Sequence, residues 1–194
     1  MNWNEYIKTL GQCLTDISFR NIKGVEIGFI NGFSQWLERT QKVRQSNNTI
    51  YFVGNGASAS MASHMAADVA KNGNIKTQVF TDLSLITAIA NDISYDAVFA
   101  EPIRLQMTDN DMLIAISSSG NSKNVIRACE ECRKKNGQII TLSAMDRNNV
   151  LQIMGDINIY IPAQTYGWAE SAHAVVLHYW MDLIQAGCRK RSID

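Results

Sequence analysis

The sequence predicts an α/β protein in which five parallel strands form one sheet with helices on both faces. Short apolar runs alternate with stretches of helical periodicity through most of the chain after residue 48. Such alternation is typical of a parallel sheet whose strands are joined through helices. The 194 residues, 46% of them hydrophobic, suffice for one domain with a sizeable core. The predicted strands are 49–53, 77–80, 112–116, 138–142 and 157–161.

Residues 1–46 are predicted to form a helical segment. Trp3, Tyr6 and Leu10 recur at helical spacing, and the same spacing returns over residues 29–37. A polar run around residue 46 then ends the pattern. We expect this segment to pack against the sheet layer or against another subunit.

The other predicted helices lie between and after the strands. An α/β core is expected at 47–187 and a tail at 188–194, so that residues 1–194 form a single domain. Pro102 suits the first turn of a short helix, and Gly187 is predicted to end the last helix. The main helices of the core are predicted at 57–72, 83–90, 123–135 and 169–185.

Composition excludes several classes of function. The 18 basic and 18 acidic residues cancel, so the broad positive field of a sequence-tolerant nucleic-acid binder is missing. We interpret the basic run 189–191 as a solvated helix end. The sequence contains no run of about 18 apolar residues and does not begin like a signal peptide, which predicts a cytoplasmic protein without a membrane span.

The four cysteines are predicted to be unpaired thiols. The cytoplasm keeps thiols reduced, which argues against disulfides. Cys129 and Cys132 form a C-x-x-C pair, but no second pair completes a zinc site. Both also lie inside a predicted helix and not at its N-terminus, where a redox thiolate is stabilised.

Two loops of small residues each follow a strand and open a helix. The loop 54–59 fits G-x-G-x-x-A, which also occurs in dinucleotide-binding proteins, and Asp82 offers an acid near the end of the second strand. The loop 117–122 places hydroxyl groups and one glycine at a helix N-terminus, where side-chain and backbone donors suit a phosphate dianion. Its alternative interpretation is a serine-rich cap without a ligand. The hydroxyls belong to Ser117, Ser118, Ser119 and Ser122.

The two loops together favour a small phosphorylated ligand over a dinucleotide. They follow strands whose carboxyl ends meet at one edge of a parallel sheet. A dehydrogenase would also need a separate substrate domain, for which the remaining chain is too short. The sequence therefore favours a sugar phosphate over NAD.

All three histidines lie in two short segments that also carry carboxylates. His64 and Asp68 are four residues apart and share a helix face. Glu170 and His178 differ by about 80° around the last helix. These four side chains form a plausible ligand set for zinc or another divalent ion. The spacing leaves open whether the two pairs meet, and each histidine could instead be a hydrogen-bonded core or interface residue. His173 is assigned a supporting or structural role.

At these residues the chain resembles the sugar-isomerase (SIS) domain family, and specifically the phosphoheptose isomerases. The resemblance runs from about residue 49 to 185 and is carried by 54–58, 91–92, 116–122 and 124–125. It implies a three-layer α/β/α sandwich of flavodoxin-like type and a homotetramer with active sites at subunit interfaces. It also implies that the four serines of 117–122 bind the phosphate. The residues implied to line the sugar are Asn55, Gly56, Ala57, Asn91 and Asp92.

The resemblance further implies an aldose–ketose isomerase. Sedoheptulose 7-phosphate would be converted to a heptose 7-phosphate through an enediolate, for bacterial surface glycans. His64, Asp68, Glu170 and His178 would hold a divalent metal, zinc in our expectation. Asp68 or Glu170 would act as the base and His178 as its acid/base partner. The alternative is a non-catalytic SIS adaptor or sugar-phosphate sensor, similar to replication-initiator-associating proteins.

Four features depart from the family pattern. Ala57 stands in place of a glycine, Asp68 in place of a glutamate and Glu170 in place of a glutamine. The segment 143–148 replaces a glycine-rich turn. The two altered acids could compensate each other if the helices that carry them face one another.

Overall fold

The computed structural model describes the backbone of residues 2–191 and the side chains of residues 2–187. The side chains of the basic run 189–191 therefore lie outside the described residues. One six-stranded sheet has the order β1-β6-β5-β4-β2-β3. Its strands are β1 (Ser18–Asn21), β2 (Thr49–Gly54), β3 (Lys76–Val79), β4 (Met112–Ser117), β5 (Gln138–Ala144) and β6 (Ile157–Ile161).

The five predicted strands are confirmed and are parallel to one another. Seven α-helices accompany them within the described residues, and short 3₁₀ helices occupy Tyr95–Ala97 and Val150–Ile153. The α-helices are α1 (Trp3–Thr15), α2 (Phe29–Gln45), α3 (Ala57–Gly73), α4 (Leu83–Asp92), α5 (Ala100–Gln106), α6 (Lys123–Lys134) and α7 (Tyr166–Arg191).

The sixth strand, β1, corrects the prediction of a helical N-terminal segment and of five strands. It pairs antiparallel with the edge strand β6, with Phe19 opposite Ile159. Phe19 is fully buried, and a Cβ atom at Gly32 would overlap its ring. Burial of this one aromatic ring against α2 therefore outweighs the helical pattern on either side of it.

Two apolar cores, one on each face of the sheet, confirm the three-layer arrangement. One core contains side chains of α1, α2, α3 and α7, and the other contains side chains of α4, α5 and α6. At the centre of the first, the Trp36 and Trp180 rings stack with centroids 4.5 Å apart. The Trp180 indole Nε1–H donates to Thr40 Oγ1 at 3.1 Å, so this buried polar group is satisfied.

The last helix is longer than predicted at both ends. It begins at Tyr166 and continues through Gly187 to Arg191, so the prediction that Gly187 ends it is wrong. A glycine inside a helix costs only about 1 kcal/mol. Burial of Val176, Trp180 and Ile184 along the preceding turns outweighs that cost.

Three cysteines are described, and all three are free and buried. Burial raises the pKa of Cys132 to about 12 and also raises the pKa of Cys129. Both thiols therefore stay protonated near neutral pH and pack as small apolar side chains. Among the described helices, none combines the length and apolar character that a membrane span requires.

Candidate active site

A cleft of about 260 Å³ opens at the carboxyl ends of β2 and β4. These neighbouring strands continue in opposite directions through the sheet, β2 to β3 and β4 to β5, so the cleft lies at the topological switch point. Both predicted loops line it, together with the start of α7. The lining residues are Asn55, Gly56, Ala57, Ser58, Ile116, Ser117, Ser118, Ser119, Ser122, Tyr166 and Glu170.

The loop after β2 brings the N-terminus of α3 to the cleft. A Cβ atom at Gly54 would lie 2.7 Å from Ser58 Cβ, so only glycine lets the helix start so close to the strand. Gly56 precedes the helix with a φ of 57°, and it has no side chain to cap the first turn. The N–H groups of Ser58 and Ala59 already donate to the carbonyls of Asn55 and Gly56 at 3.0 Å, so the N–H of Ala57 is the donor of this turn that a ligand could use.

The serine loop after β4 forms the opposite wall. Ser117 Oγ lies 3.1 Å from Ser122 Oγ and 3.4 Å from Ser119 Oγ, so three hydroxyls converge. The buried Ser118 hydroxyl has no hydrogen-bond partner among the described residues. Ser122 is the N-cap residue of α6, but its side chain makes no capping hydrogen bond.

This wall has the chemistry of an anion site. Hydroxyl groups and the uncapped N–H groups of a helix start can all donate to a phosphate, and the helix dipole favours the negative charge. The described residues that line the cleft include no lysine or arginine. Binding would therefore depend on neutral donors.

A cluster of potential metal ligands lies where α3 packs on α7. One ligand atom each of His64, Asp68 and His178 falls within 4.8 Å of the others. His64 Nε2 is 3.4 Å from Asp68 Oδ2, and the two imidazole centroids are 5.2 Å apart. The fold thus brings together two segments more than 100 residues apart in sequence. Imidazole and carboxylate donors at this separation fit a divalent ion such as zinc.

Glu170 is not part of this cluster in the single chain, although it was predicted as a fourth ligand. It lies two helical turns before His178, which is a rise of about 12 Å along α7. Its side chain lines the cleft beside the serine loop instead. The predicted four-residue set is therefore divided between the cluster and the cleft. Within one chain, the altered acids Asp68 and Glu170 do not face each other.

Asn91 and Asp92 lie at the end of α4, and neither lines the cleft. Both are exposed, and Asn91 Nδ2 donates to Asp92 Oδ1 at 2.8 Å. A direct role for this pair in sugar binding remains a prediction.

The sequence profile of the SIS domain matches residues 37–144, which is more than half of the chain. The chain belongs to the SIS domain family. Its curated relatives include the phosphoheptose isomerase of Colwellia psychrerythraea, 35% identical over 145 residues that span 71% of this chain and 74% of the relative. The phosphoheptose isomerase of Helicobacter pylori is 33% identical over 147 residues, 73% of this chain and 76% of the relative.

A solved structure supports the same assignment. The phosphoheptose isomerase of Neisseria gonorrhoeae superposes on this SIS domain with a TM-score of 0.81 at 25% sequence identity. The match covers 93% of this chain and 96% of the other. The α/β/α arrangement is therefore that of a phosphoheptose isomerase over nearly its full length.

Several residues of this SIS domain have roles that the sequence did not suggest. Ser58 and Tyr166 line the cleft, and Tyr95 donates to Asn55 from its rim. Asn124 contacts Asn55 from α6, although it was noted only as part of a motif. Tyr95 and Tyr166 lie in segments without a distinctive motif, so only the fold reveals them.

His173 lies on the same face of α7 as Tyr166, since seven residues bring the helix back to within about 20°. It is fully buried, and this burial lowers its pKa to about 4, partly opposed by the backbone of Ser143. Neither ring nitrogen makes a hydrogen bond of normal geometry to a described residue. A supporting or structural role for this neutral buried imidazole remains a prediction.

Proposed function

We propose that this SIS domain interconverts sedoheptulose 7-phosphate and a heptose 7-phosphate, for the synthesis of bacterial surface glycans. The observation that carries the proposal is the serine-lined cleft, combined with the ligand cluster on α3 and α7, in a chain related to phosphoheptose isomerases. The cleft suits a small phosphorylated sugar better than a dinucleotide because its volume is only about 260 Å³.

The serine loop would hold the far phosphate. Ser117, Ser119 and Ser122 donate through converging hydroxyls, and α6 adds its first backbone N–H groups. Binding energy gained at the phosphate then orients the reacting carbons at the other end of the sugar.

His64, Asp68 and His178 would hold a divalent metal, which we propose to be zinc. When bound, such an ion stabilises the negative charge that develops on the carbonyl oxygen. We place the base at Asp68, because it lies in one cluster with His178, the proposed acid/base partner. Asp68 would move the proton between C1 and C2 while His178 serves the neighbouring oxygen.

Glu170 has a different position from Asp68 and is the weaker candidate for the base. Its carboxylate lines the cleft beside the serine loop, where it would face the phosphate. We propose that Glu170 adjusts ligand binding within the cleft. Glu170 would also be a metal ligand only if a second copy of the chain brings its own Glu170 to the cluster of His64, Asp68 and His178.

We also propose a homotetramer with active sites at the subunit interfaces. An apolar patch formed by Phe29, Ile30, Val175 and Tyr179 is exposed on α2 and α7, with Ile30 74% exposed. Large exposed apolar patches mark interfaces. His178 is exposed next to Tyr179, so a second copy on this patch would lie beside the metal cluster. The cytoplasm, where sugar phosphates are handled, is the proposed location.

Turnover in deuterated water tests the function. The purified protein with zinc is incubated with sedoheptulose 7-phosphate, and we expect an aldose product with deuterium at C2. A His64→Ala variant is the control for the metal cluster and should lose turnover while it keeps phosphate binding. A wild-type protein that binds the sugar phosphate but forms no aldose and exchanges no C1 proton of the ketose would instead be a sensor or adaptor, and the proposal would be wrong.

A further inference from the structure

The side-chain amides of Asn55 and Asn124 form a reciprocal pair. Asn55 Nδ2 donates to Asn124 Oδ1 at 2.9 Å, and Asn124 Nδ2 donates to Asn55 Oδ1 at 2.9 Å. Asn55 belongs to the loop after β2, and Asn124 is the second residue of α6. The pair therefore joins the two loops that line the cleft.

The backbone fixes the direction of this pair. The N–H of Val125 donates to Asn124 Oδ1 at 3.0 Å. A backbone N–H is only a donor, so the amide oxygen of Asn124 must face it and the NH₂ group must face Asn55. Because Asn124 is 2% exposed, water does not compete for these bonds. The orientation of Asn55 follows from that of Asn124.

The remaining hydrogen-bonding capacity of Asn55 is then a single N–H. Its oxygen accepts from Asn124 and, at 3.3 Å, from the Tyr95 hydroxyl, which uses both lone pairs. One of its two amide hydrogens goes to Asn124. Since Asn55 lines the cleft, it offers a ligand one donor and no acceptor.

We propose that Asn124 and Tyr95 are positioning residues, which hold Asn55 so that its free N–H donates to a phosphate oxygen of the ligand. The inference rests on the proposed function, which places a sugar phosphate in the cleft. Asn124 belongs to the first turn of α6, and the same helix start contributes Ser122 to the serine wall. The oriented donor thus lies beside the predicted anion site, where an amide oxygen would repel the phosphate.

An Asn124→Asp variant tests the orientation. The new carboxylate still accepts from the Val125 N–H and from Asn55 Nδ2, but it cannot donate to Asn55 Oδ1. One carboxylate oxygen then faces Asn55 Oδ1, and their repulsion disfavours the present orientation of Asn55. We expect the Kd for inorganic phosphate, measured by calorimetry, to rise about tenfold or more, as for loss of a hydrogen bond to a charged group. KM for the sugar phosphate should rise with it, while kcat changes less.

Two further variants isolate the effect. Asn121→Asp places the same negative charge in the serine loop, at a residue that makes no hydrogen bond to Asn55. It therefore measures the repulsion between an added carboxylate and the phosphate alone. Tyr95→Phe keeps the ring but frees one lone pair of Asn55, and a Kd increase of about threefold is expected. Tyr95 is 57% exposed, so this variant tests the proposal even if Asn124→Asp fails to fold.

The outcomes separate the two proposals. The positioning role is wrong, and the function stands, if the wild-type protein binds phosphate and isomerises the sugar while neither variant shows the expected effect. In that case the phosphate Kd of Asn124→Asp equals that of Asn121→Asp, and the phosphate Kd of Tyr95→Phe equals that of wild type. If wild-type protein does not bind inorganic phosphate, both the positioning role and the proposed phosphate-binding role of the serine loop are overturned.

Discussion

At the scale of single residues, the buried imidazole of His173 makes the stability of the fold depend on pH. Its pKa of about 4 lies below the ordinary 6.5, so the unfolded chain takes up a proton first as the pH falls. The folded state therefore loses stability between about pH 6.5 and 4, and not above that range. The expected slope is about 1.4 kcal/mol per pH unit near the middle of the window.

Urea unfolding at several pH values checks this prediction. A His173→Leu variant removes the titrating group and is the matched comparison, because every other side chain is unchanged. We expect the free energy of unfolding of wild type to fall more steeply from pH 6.5 to 4.5. Parallel curves would mean that His173 is protonated or solvated in the folded state.

The two altered acids are expected to differ in effect because they lie in different places. Asp68→Asn removes a cluster ligand and the proposed base, so zinc should bind more weakly and kcat should fall by about 10² or more. Glu170→Gln removes a carboxylate beside the serine loop, so zinc should stay bound and KM should fall about twofold or more. Zinc titration and steady-state kinetics measure both. A loss of zinc in Glu170→Gln alone would place the fourth ligand at Glu170.

The sequence predicted more of the cleft than of the metal cluster. The glycine and serine motifs are local, and each predicted loop does line the cleft around Asn55 and Ser117. The metal cluster depends on how α3 packs on α7, and the spacing of residues in the sequence does not give that packing. His64 and His178 meet, but Glu170, two turns away, does not join them in one chain. Asn124 was noted as part of a motif, but its contact with Asn55 was not predicted because the two residues are 69 positions apart.

At the scale of elements, the shape of the serine loop depends on Gly120. Its φ is 63°, and a Cβ atom there would overlap the side chain of the buried Asn149. Asn149 Nδ2 in turn donates to the Ala144 carbonyl at 3.3 Å, which ties the loop to the end of β5. Gly120 therefore meets two demands that only glycine satisfies, a left-handed conformation and close contact.

Gly120→Ala should destabilise the protein and weaken phosphate binding together. Gly24→Ala is the matched control, because Gly24 has a φ of 73° but nothing near its Cβ position. The control should lose only the conformational cost of about 1 kcal/mol. Gly120→Ala should lose at least twice that, measured by urea unfolding, and its phosphate Kd should rise. Equal losses in the two variants would contradict the contact with Asn149.

Element boundaries show where local pattern stops being sufficient. Four of the five parallel strands, β2, β4, β5 and β6, were predictable because their buried apolar runs are bounded by turn residues. Strand β1 (Ser18–Asn21) has a single buried residue, Phe19, and lies between two helical patterns, so its sequence gives no strand signal. It forms because Phe19 packs beneath α2. Similarly, Gly187 is a local stop signal, yet α7 continues because its earlier turns are packed on the core.

At the scale of the whole molecule, the sheet order determines which residues can work together. Because β2 and β4 are neighbours, their loops form one cleft, while α3 carries His64 and Asp68 away from it toward α7. The phosphate end and the reacting end of a sugar would thus contact different parts of α3. Such a division suits an extended phosphorylated sugar, in which phosphate and carbonyl lie at opposite ends.

The apolar patch of Phe29, Ile30, Val175 and Tyr179 gives the assembly prediction. Val175 is 47% exposed, so Val175→Glu costs little in the single chain but places a charge in the proposed interface. We expect sedimentation velocity to show a tetramer for wild type and smaller species for Val175→Glu. Leu105→Glu is the control, since Leu105 is 66% exposed on α5, across the sheet, and should leave the tetramer intact. If a second copy completes the metal cluster, zinc affinity should fall in parallel with dissociation. A wild-type monomer, or a Val175→Glu tetramer, would show that this patch is not the interface.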